Sequence, residues 1–329
     1  MKLSILDQSP ISTGQTAKEA LENSIKLAQL GEKYGYERFW IAEHHDLYGL
    51  ACPNPDVMLG IIGTKTEKIR IGAGAVLLPY YKPYRVAETY NLLATMFPGR
   101  IDLGIGRAPG GSAEVSMALS DNYLKQVRYF PNTLQSLIDY LYKTEFDASP
   151  TPIPDKPPEV WLLGTSDKSA KLAAEKGLPY AFGHFMTNSN GQAAVQQYRQ
   201  HFSSKHASKP YVIVAVTVVC AQTNEQAYDL ALSPFLWKLK QQKNSKETSQ
   251  IPTYKEAKMY PYSDTEKEEW EEFRQNTIIG NPEEVKKQLL QLQNIYKADE
   301  WMIVTITHSI EAKFKSYELL AQSFLEEDS

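Results

Sequence analysis

The stretch KIRIGAGAVLLPYYKPYRVAETYNLLATMFPGRIDLGIGR, residues 68–107, decides the fold class. Its first apolar run, residues 68–78, predicts a strand, and the amphipathic stretch over 84–96 predicts a helix. A second apolar run over 101–106 predicts the next strand. Strand, helix and strand in this order form the unit from which parallel sheets are built. We therefore expect an α/β fold.

The same alternation continues on both sides of this stretch. Further strands are predicted over residues 2–6, 38–42, 160–164, 180–182, 211–220 and 300–307. Helical patterns lie between them, and about eight such units fit a closed (β/α)₈ barrel better than an open sheet. The sequence thus predicts a single TIM barrel domain spanning residues 1–329.

Residues 238–274 depart from this rhythm. The segment is rich in Lys, Gln and Glu and contains Pro252 and Pro261. We interpret it as an insertion after strand 7, either a mobile lid over the active face or an ordinary surface excursion.

Composition excludes several classes of protein. Hydrophobic residues make up 42% and charged residues 22% of the 329, which is typical of globular chains rather than disordered ones. Lys and Arg number 35 against 39 Asp and Glu, so no basic excess points to nucleic acid. No signal peptide or membrane-length apolar run is found, and we expect a cytoplasmic protein. Cys52 and Cys220 lack CxxC spacing and are expected to be reduced, structural thiols.

Polar side chains that follow the predicted strands are the candidates for chemistry, because the active face of such a barrel is built from these loops. Glu43-His44-His45-Asp46 follows strand 2, and the adjacent carboxylate favours a functional role for the histidines. His184 and His308 follow later strands, where a structural role explains each one better. The spacing matches neither HxH nor HExxH, so we do not favour a metal site.

Two further features suit an anion. The run from Gly104 to Gly111 follows a strand, but Pro109 stands where a dinucleotide-binding fingerprint requires Gly. Arg107 in this run could grip a phosphate or form a structural salt bridge. Ser166 and Ser169 flank a helix start, where hydroxyls either cap the helix or join its free amides in binding phosphate.

These motifs together resemble the bacterial luciferase-like flavin-dependent monooxygenases. The resemblance is carried by Glu43-His44-His45, Arg70–Pro79, Pro98–Arg107, Ser166–Pro179 and the opening Leu6–Pro10. It implies a (β/α)₈ barrel that binds reduced FMN, or F420 in some branches, and that works with a separate flavin reductase.

The resemblance also implies roles for single residues. His44 matches the active-site histidine, and Gly74–Ala75 matches a non-proline cis peptide beneath the flavin. From its ordinary pKa of roughly 6.5, His44 is expected to serve as the acid-base group beside the flavin, the alternative being a structural role with the ring hydrogen-bonded into the barrel mouth. From the residues themselves, Glu43 is expected to orient a histidine or to end the strand, and His45 to turn toward neighbouring loops, because successive side chains diverge.

For the cofactor phosphate, the resemblance assigns Arg107, Ser166 and Ser169. Residues 121–124 offer no arginine, although luciferase places a further phosphate-binding arginine there, and only Lys125 or Arg128 lies nearby in the sequence. We therefore expect the contacts to the phosphate to be distributed differently in this chain.

The leading hypothesis is an FMN-dependent monooxygenase that oxygenates a small organic substrate with O₂. One alternative is F420-dependent hydride transfer, although no lysine cluster between residues 100 and 190 offers a groove for the longer acidic tail. The other alternative is a flavin-binding protein without turnover. A homodimer is also expected, because the helix over 56–62 is apolar on more than one face. The resemblance places the interface on this helix and the next.

Overall fold

The computed structural model describes residues 1–143, 147–187, 191–243 and 250–325. Its strands all belong to one sheet in which every pairing is parallel. They are β1 (Lys2–Asp7), β2 (Arg38–Ile41), β3 (Arg70–Leu77), β4 (Ile101–Gly106), β5 (Glu159–Gly164), β6 (Tyr180–Gly183), β7 (Val212–Cys220), β8 (Thr277–Gly280) and β9 (Glu300–Val304).

Eight of these strands close into the predicted barrel. β1 to β6 follow one another around the ring, β6 pairs with β7, and β9 joins β7 back to β1. β8 was not predicted. It pairs with Thr217–Cys220 at the end of β7, and Thr217 is the one residue of this stretch that also pairs with β9.

Helices separate the strands. They are α1 (Ala17–Lys33), α2 (Pro55–Lys65), α3 (Pro83–Met96), α4 (Ala113–Leu119), α5 (Tyr123–Tyr142), α6 (Asp167–Lys176), α7 (Gly191–Gln200), α8 (Asn224–Gln242), α9 (Tyr254–Met259), α10 (Asp264–Asn276), α11 (Pro282–Tyr296) and α12 (Ile310–Phe324). One-turn 3₁₀ helices follow β3 at Leu78–Tyr80 and β6 at His184–Met186.

The segment 238–274 contains more regular structure than its sequence suggests. It includes the last turn of α8 and both α9 and α10, while its residues 244–249 lie outside the described part of the chain. Trp270 and Phe273 of α10 pack against Phe235 of α8, with ring centroids 5.1 and 5.5 Å from the Phe235 ring. α10 is otherwise largely charged, so these two residues gave too short an apolar pattern to predict a helix.

The interior of the barrel is apolar toward its middle and charged at the amino ends of the strands. Nη1 of Arg38 lies 2.8 Å from Oδ2 of Asp102, and its Nε lies 2.8 Å from Oε1 of Glu300. Arg70 also pairs with Asp102. Burial alone would raise the pKa of Asp102, but the charges of Arg38 and Arg70 hold it below its ordinary value. The network joins the starts of β2, β3, β4 and β9.

Both cysteines are buried and unbridged, as predicted. Burial raises the pKa of each thiol to about 12, so neither is a reactive thiolate at neutral pH. Among the described helices, none combines the length and apolarity that crossing a membrane requires.

Candidate active site

Most of the candidate residues lie on one arc of the barrel mouth. Glu43 and His44 follow β2, Gly74–Ala75 lies in β3, Arg107 follows β4, and Ser166 begins the helix after β5. Because β2, β3, β4 and β5 are successive neighbours in the ring, their carboxyl ends stand side by side. The fold therefore brings together residues that are more than 120 positions apart in the sequence.

His44 is half-buried, and its Nδ1 has no hydrogen-bond partner among the described residues. Its main-chain N–H donates to the carbonyl of Cys52 at 3.0 Å, which fixes the backbone but leaves the ring free. Burial, and secondarily the neighbouring His45, lower the pKa of His44 to about 4. The imidazole is therefore neutral at pH 7, in contrast to the ordinary pKa assumed from the sequence.

The carboxylate of Glu43 is engaged by groups other than His44. Its Oε1 accepts the hydroxyl of Tyr81 at 2.6 Å and lies 2.8 Å from Nε2 of His45. Its Oε2 accepts the main-chain N–H of Leu77 at 3.0 Å. The carboxylate thus orients a histidine, as predicted, and joins the end of β2 to the end of β3.

The peptide bond between Gly74 and Ala75 is cis, as the resemblance implied. Ala75 is buried, and a Cβ added at Gly74 would come within 2.7 Å of Cδ1 of Leu6. Only glycine fits between this strand and β1 without displacing Leu6.

Arg107 is exposed, and its guanidinium makes no hydrogen bond or ion pair within the described part of the chain. No carboxylate in that part of the chain forms the structural salt bridge that the sequence left open for Arg107. Burial raises the pKa of Tyr123 and of Tyr180 to about 12, and the positive charge of Arg107 opposes this shift in both. The hydroxyl of Tyr123 also donates to the main-chain carbonyl of Arg107 at 2.9 Å.

Ser166 and Ser169 form the cap of α6. The N–H of Ser166 donates to Oγ of Ser169 at 3.2 Å, and the N–H of Ser169 donates to Oγ of Ser166 at 3.4 Å. Oγ of Ser169 also lies 3.0 Å from the hydroxyl of Tyr180. A Cβ at Gly164 would come within 2.2 Å of that Oγ, which explains the glycine at the end of β5.

This cap leaves part of the helix start free. The first-turn N–H groups of Asp167 and Lys168 have no acceptor within the described residues. The capping prediction is confirmed, and it restricts the phosphate hypothesis. Ser169 is already engaged within the protein, whereas the half-buried Ser166 and the two amides remain available to an anion.

Two of the rim histidines lie apart from this arc. Nδ1 of His184 lies 2.8 Å from the hydroxyl of Tyr296 on α11, and Nε2 of His308 lies 3.2 Å from the carbonyl of Thr13. Both contacts support the structural role favoured from the sequence. In the ranges that the structure describes, no three His, Cys, Asp or Glu side chains cluster as metal ligands would.

Sequence reasoning missed the tyrosines of the site, Tyr80, Tyr81, Tyr123 and Tyr180. Tyr80 and Tyr81 come three and four residues after the end of β3, and the position of this aromatic pair at a strand exit was a usable signal. Tyr123 and Tyr180 begin a helix and a strand, and no spacing pattern marks them.

The insertion meets the mouth of the barrel at the loop after β1. The N–H of Ile251 donates to the carbonyl of Ile11 at 2.9 Å, and the N–H of Thr13 donates to the carbonyl of Ile251 at 2.9 Å. On its other side, the N–H of Ile11 donates to the carbonyl of Gly49, in the loop after β2. The insertion is thereby linked to the loop that follows His44.

Comparison with known proteins agrees with this geometry. A sequence model of the family described as luciferase-like monooxygenase matches residues 1–297. N-acetyl-S-alkylcysteine monooxygenase of Bacillus subtilis (strain 168) is 35% identical, with 99% of this chain and 98% of the relative covered. The crystal structure of apo-MsnO8 is 34% identical, with a TM-score of 0.90 and 98% of both chains covered.

A more distant structure shares the fold. It is the oxygenating constituent of 3,6-diketocamphane monooxygenase from Pseudomonas putida, solved in complex with FMN. It is 20% identical, with a TM-score of 0.71 and with 98% of this chain and 97% of that chain covered.

Proposed function

Because this chain belongs to the luciferase-like monooxygenase family, we propose that it oxygenates a small organic substrate with O₂ and reduced FMN. One oxygen atom of O₂ enters the substrate and the other leaves as water. The two electrons come from reduced FMN, which is released oxidised. When bound, the flavin supplies the reaction with oxygen, while the protein binds it, orients it and excludes water.

The observation that carries this proposal is the unpartnered Nδ1 of His44 at the barrel mouth. A buried polar atom without a partner costs free energy unless a ligand or water satisfies it. His44 is neutral at pH 7, so one ring nitrogen carries a proton and the other can accept one. We assign His44 as the residue that holds or receives a proton beside the reacting atoms.

We assign the phosphate of FMN to the residues that follow β4 and β5, on the same arc of the barrel mouth as His44. Arg107 offers a guanidinium, and α6 offers Ser166 with the amides of Asp167 and Lys168; none of these three groups of N–H donors has an acceptor within the described ranges. A helix start of this kind binds anions through its N–H groups and its dipole. Ser169 supports this group by holding Ser166, and Gly74 and Ala75 are assigned to the face of the isoalloxazine ring.

We favour FMN over F420 because, in the described part of the chain, the residues assigned to the phosphate comprise the guanidinium of Arg107 and the start of α6, and no further cationic groove for a longer acidic tail is assigned. F420-dependent hydride transfer remains the alternative activity, and a flavin-binding protein without turnover the alternative class. An F420-dependent secondary alcohol dehydrogenase shares the fold at 18% identity and a TM-score of 0.61, so the fold alone does not choose the cofactor. We assign the supply of reduced FMN to a separate flavin reductase.

We also propose a homodimer formed through α2 and α3. Val57 and Ile61 on α2 are 61% and 42% exposed, and Leu92 and Met96 on α3 are 53% and 61% exposed. Met58, Leu59 and Ile62 of α2 are buried against the barrel, so the helix is apolar on two faces, as expected from the sequence. An exposed apolar surface of this kind is typical of an interface.

Cofactor binding and oxygen consumption test the proposal in two steps. Anaerobic titration with reduced FMN and reduced F420 identifies the cofactor. Oxygen uptake with reduced FMN then compares aldehydes with N-acetyl-S-alkylcysteines, the substrate class in the name of the Bacillus subtilis relative. Product containing one atom of ¹⁸O from ¹⁸O₂ supports monooxygenation. Tight FMN binding without any product among a broad substrate panel favours the binding protein, and selective F420 binding overturns the FMN assignment.

A further inference from the structure

The loop after β4 is held by hydrogen bonds to its main-chain carbonyls. The hydroxyl of Tyr123 donates to the carbonyl of Arg107 at 2.9 Å, and that of Tyr80 donates to the carbonyl of Pro109 at 2.6 Å. The main-chain N–H of His45 donates to the carbonyl of Gly110 at 2.8 Å. Three groups from outside the loop thus fix the peptide units that follow Arg107.

The two tyrosines also support each other. Their rings stack with centroids 5.1 Å apart and planes inclined by 27°. The ring of His45 meets Tyr80 edge-on at 6.0 Å, and Oγ of Ser116 lies 2.9 Å from the Tyr80 hydroxyl. Tyr80 comes from the turn after β3 and Tyr123 from the start of α5, so the pair connects two elements to the loop that they flank.

Arg107 itself lacks such support. Its guanidinium has no partner among the described residues, so the direction of the side chain depends on the main chain that carries it. A long side chain held only by its backbone loses conformational entropy when it binds an anion, and a fixed backbone reduces that loss.

We propose that Tyr80 and Tyr123 are positioning residues that hold Arg107 toward the phosphate of FMN, and that they set the preference of the site for a phosphorylated flavin over riboflavin. The inference rests on the proposed function, because it takes Arg107 as a phosphate ligand. It adds two residues that act through Arg107 without touching the cofactor.

The test compares FMN with riboflavin, which lacks the phosphate. Both flavins are reduced under nitrogen and titrated calorimetrically into the wild type, Tyr80→Phe and Tyr123→Phe. Each substitution removes one hydroxyl and keeps the ring. A net hydrogen bond of about 0.5–1.5 kcal/mol corresponds to a loss of roughly 2- to 12-fold. We expect the Kd for FMN to rise by that factor in each variant and the Kd for riboflavin to stay constant.

A double variant separates positioning from a general effect on the fold. In an Arg107→Ala background, Tyr80→Phe is expected to leave the Kd for FMN unchanged, since its effect passes through Arg107. Tyr142→Phe is the matched control, because its hydroxyl also donates to a proline carbonyl, that of Pro158 at 3.0 Å, away from the site. It is expected to change neither affinity.

Two results would overturn the inference: equal losses for FMN and riboflavin in the tyrosine variants, or a full additional loss in the Arg107→Ala background. Failure of the proposed function looks different. In that case the wild type binds reduced FMN no better than riboflavin, and Arg107→Ala has no effect.

Discussion

Nε2 of His45 lies 2.8 Å from Oε1 of Glu43, two residues earlier in the chain. The same carboxylate oxygen accepts the hydroxyl of Tyr81 at 2.6 Å, and its other oxygen accepts the main-chain N–H of Leu77. The glutamate therefore orients His45 rather than His44. The two adjacent histidines have different environments: His45 is paired with a carboxylate, whereas the half-buried His44 has a buried Nδ1 that finds no partner among the residues that the structure describes.

We predict that Glu43→Ala destabilises the protein by about 2–4 kcal/mol, because the hydroxyl of Tyr81 and the N–H of Leu77 lose their acceptor. Glu43→Gln keeps an acceptor oxygen and should cost less. Urea unfolding measures both variants. Glu22→Ala, which removes a half-exposed carboxylate on α1, serves as the control and should change stability by less than about 1 kcal/mol. Equal stability of Glu43→Ala and wild type would contradict the structural role of Glu43.

His44→Ala is predicted to leave folding and the Kd for FMN nearly unchanged while lowering single-turnover oxidation of substrate by about 10²- to 10⁴-fold. The reason is that the imidazole would exchange a proton beside the reacting atoms without contacting the phosphate. Rapid mixing of the enzyme and reduced FMN with substrate dissolved in O₂-containing buffer measures the rate of substrate oxidation. Normal turnover by the folded variant would remove His44 from the mechanism.

The lowered pKa of His44 predicts a pH dependence of stability. The unfolded chain takes up this proton below about pH 6.5, whereas the folded protein resists it until about pH 4. The unfolded state therefore binds more protons in that window, and stability falls as the pH is lowered through it. The contribution between pH 7 and pH 5 is about 2 kcal/mol.

Urea unfolding of His44→Gln at both pH values checks this prediction. The variant should lose less stability than the wild type on going to pH 5. His201→Gln, which replaces an exposed histidine, should behave like the wild type. Identical pH dependence in wild type and His44→Gln would show that His44 titrates normally in the folded protein.

Introducing a charge into the exposed apolar faces of α2 and α3 should abolish the proposed dimer. Ile61→Glu and Leu92→Glu would each bury a carboxylate without a partner if these faces meet a second copy. Light scattering at micromolar concentration should then give half the wild-type mass. Leu290→Glu on α11, where the leucine is 47% exposed, is the control and should keep it. A monomeric wild type would end the proposal.

For residues 238–274 we keep the proposal of a lid. Ile251 pairs with the loop after β1, so a change at the mouth can reach the insertion. Reduced FMN with substrate is therefore expected to slow tryptic cleavage within this segment, measured by mass spectrometry over time. Cleavage at the same rate with and without both ligands would favour an ordinary surface excursion.

The barrel was predictable because its eight ring strands are mostly continuous apolar runs and helical patterns lie between them. β8 was not, because Thr277–Gly280 is only four residues long and follows a charged helix. α10 was missed for the related reason that only Trp270 and Phe273 form its apolar face. Short elements depend on tertiary contacts that no local pattern records.

In the candidate site, residue types and their places after strands made His44, Arg107 and Ser166 the candidates. The sequence could not reveal that His44 would be buried enough to stay neutral, since burial depends on packing by other loops. Nor could it show that Tyr80 and Tyr123 meet over the loop after β4. These contacts join residues that are far apart in the sequence and that lie close together only in the folded barrel.

The ion pairs among Arg38, Asp102 and Glu300 lock the strand starts into one register at the end of the barrel remote from His44. The amino ends of these strands are thereby fixed relative to one another, and the loops at the carboxyl ends can differ without changing that arrangement. Exchanging the loops at the barrel mouth should alter which molecule is oxidised without changing the register of the strands. A substitution such as Asp102→Asn should instead destabilise the barrel, and with it every variant that carries an exchanged loop. Engineering of new substrates in this scaffold is best confined to the mouth, with the charged base left intact.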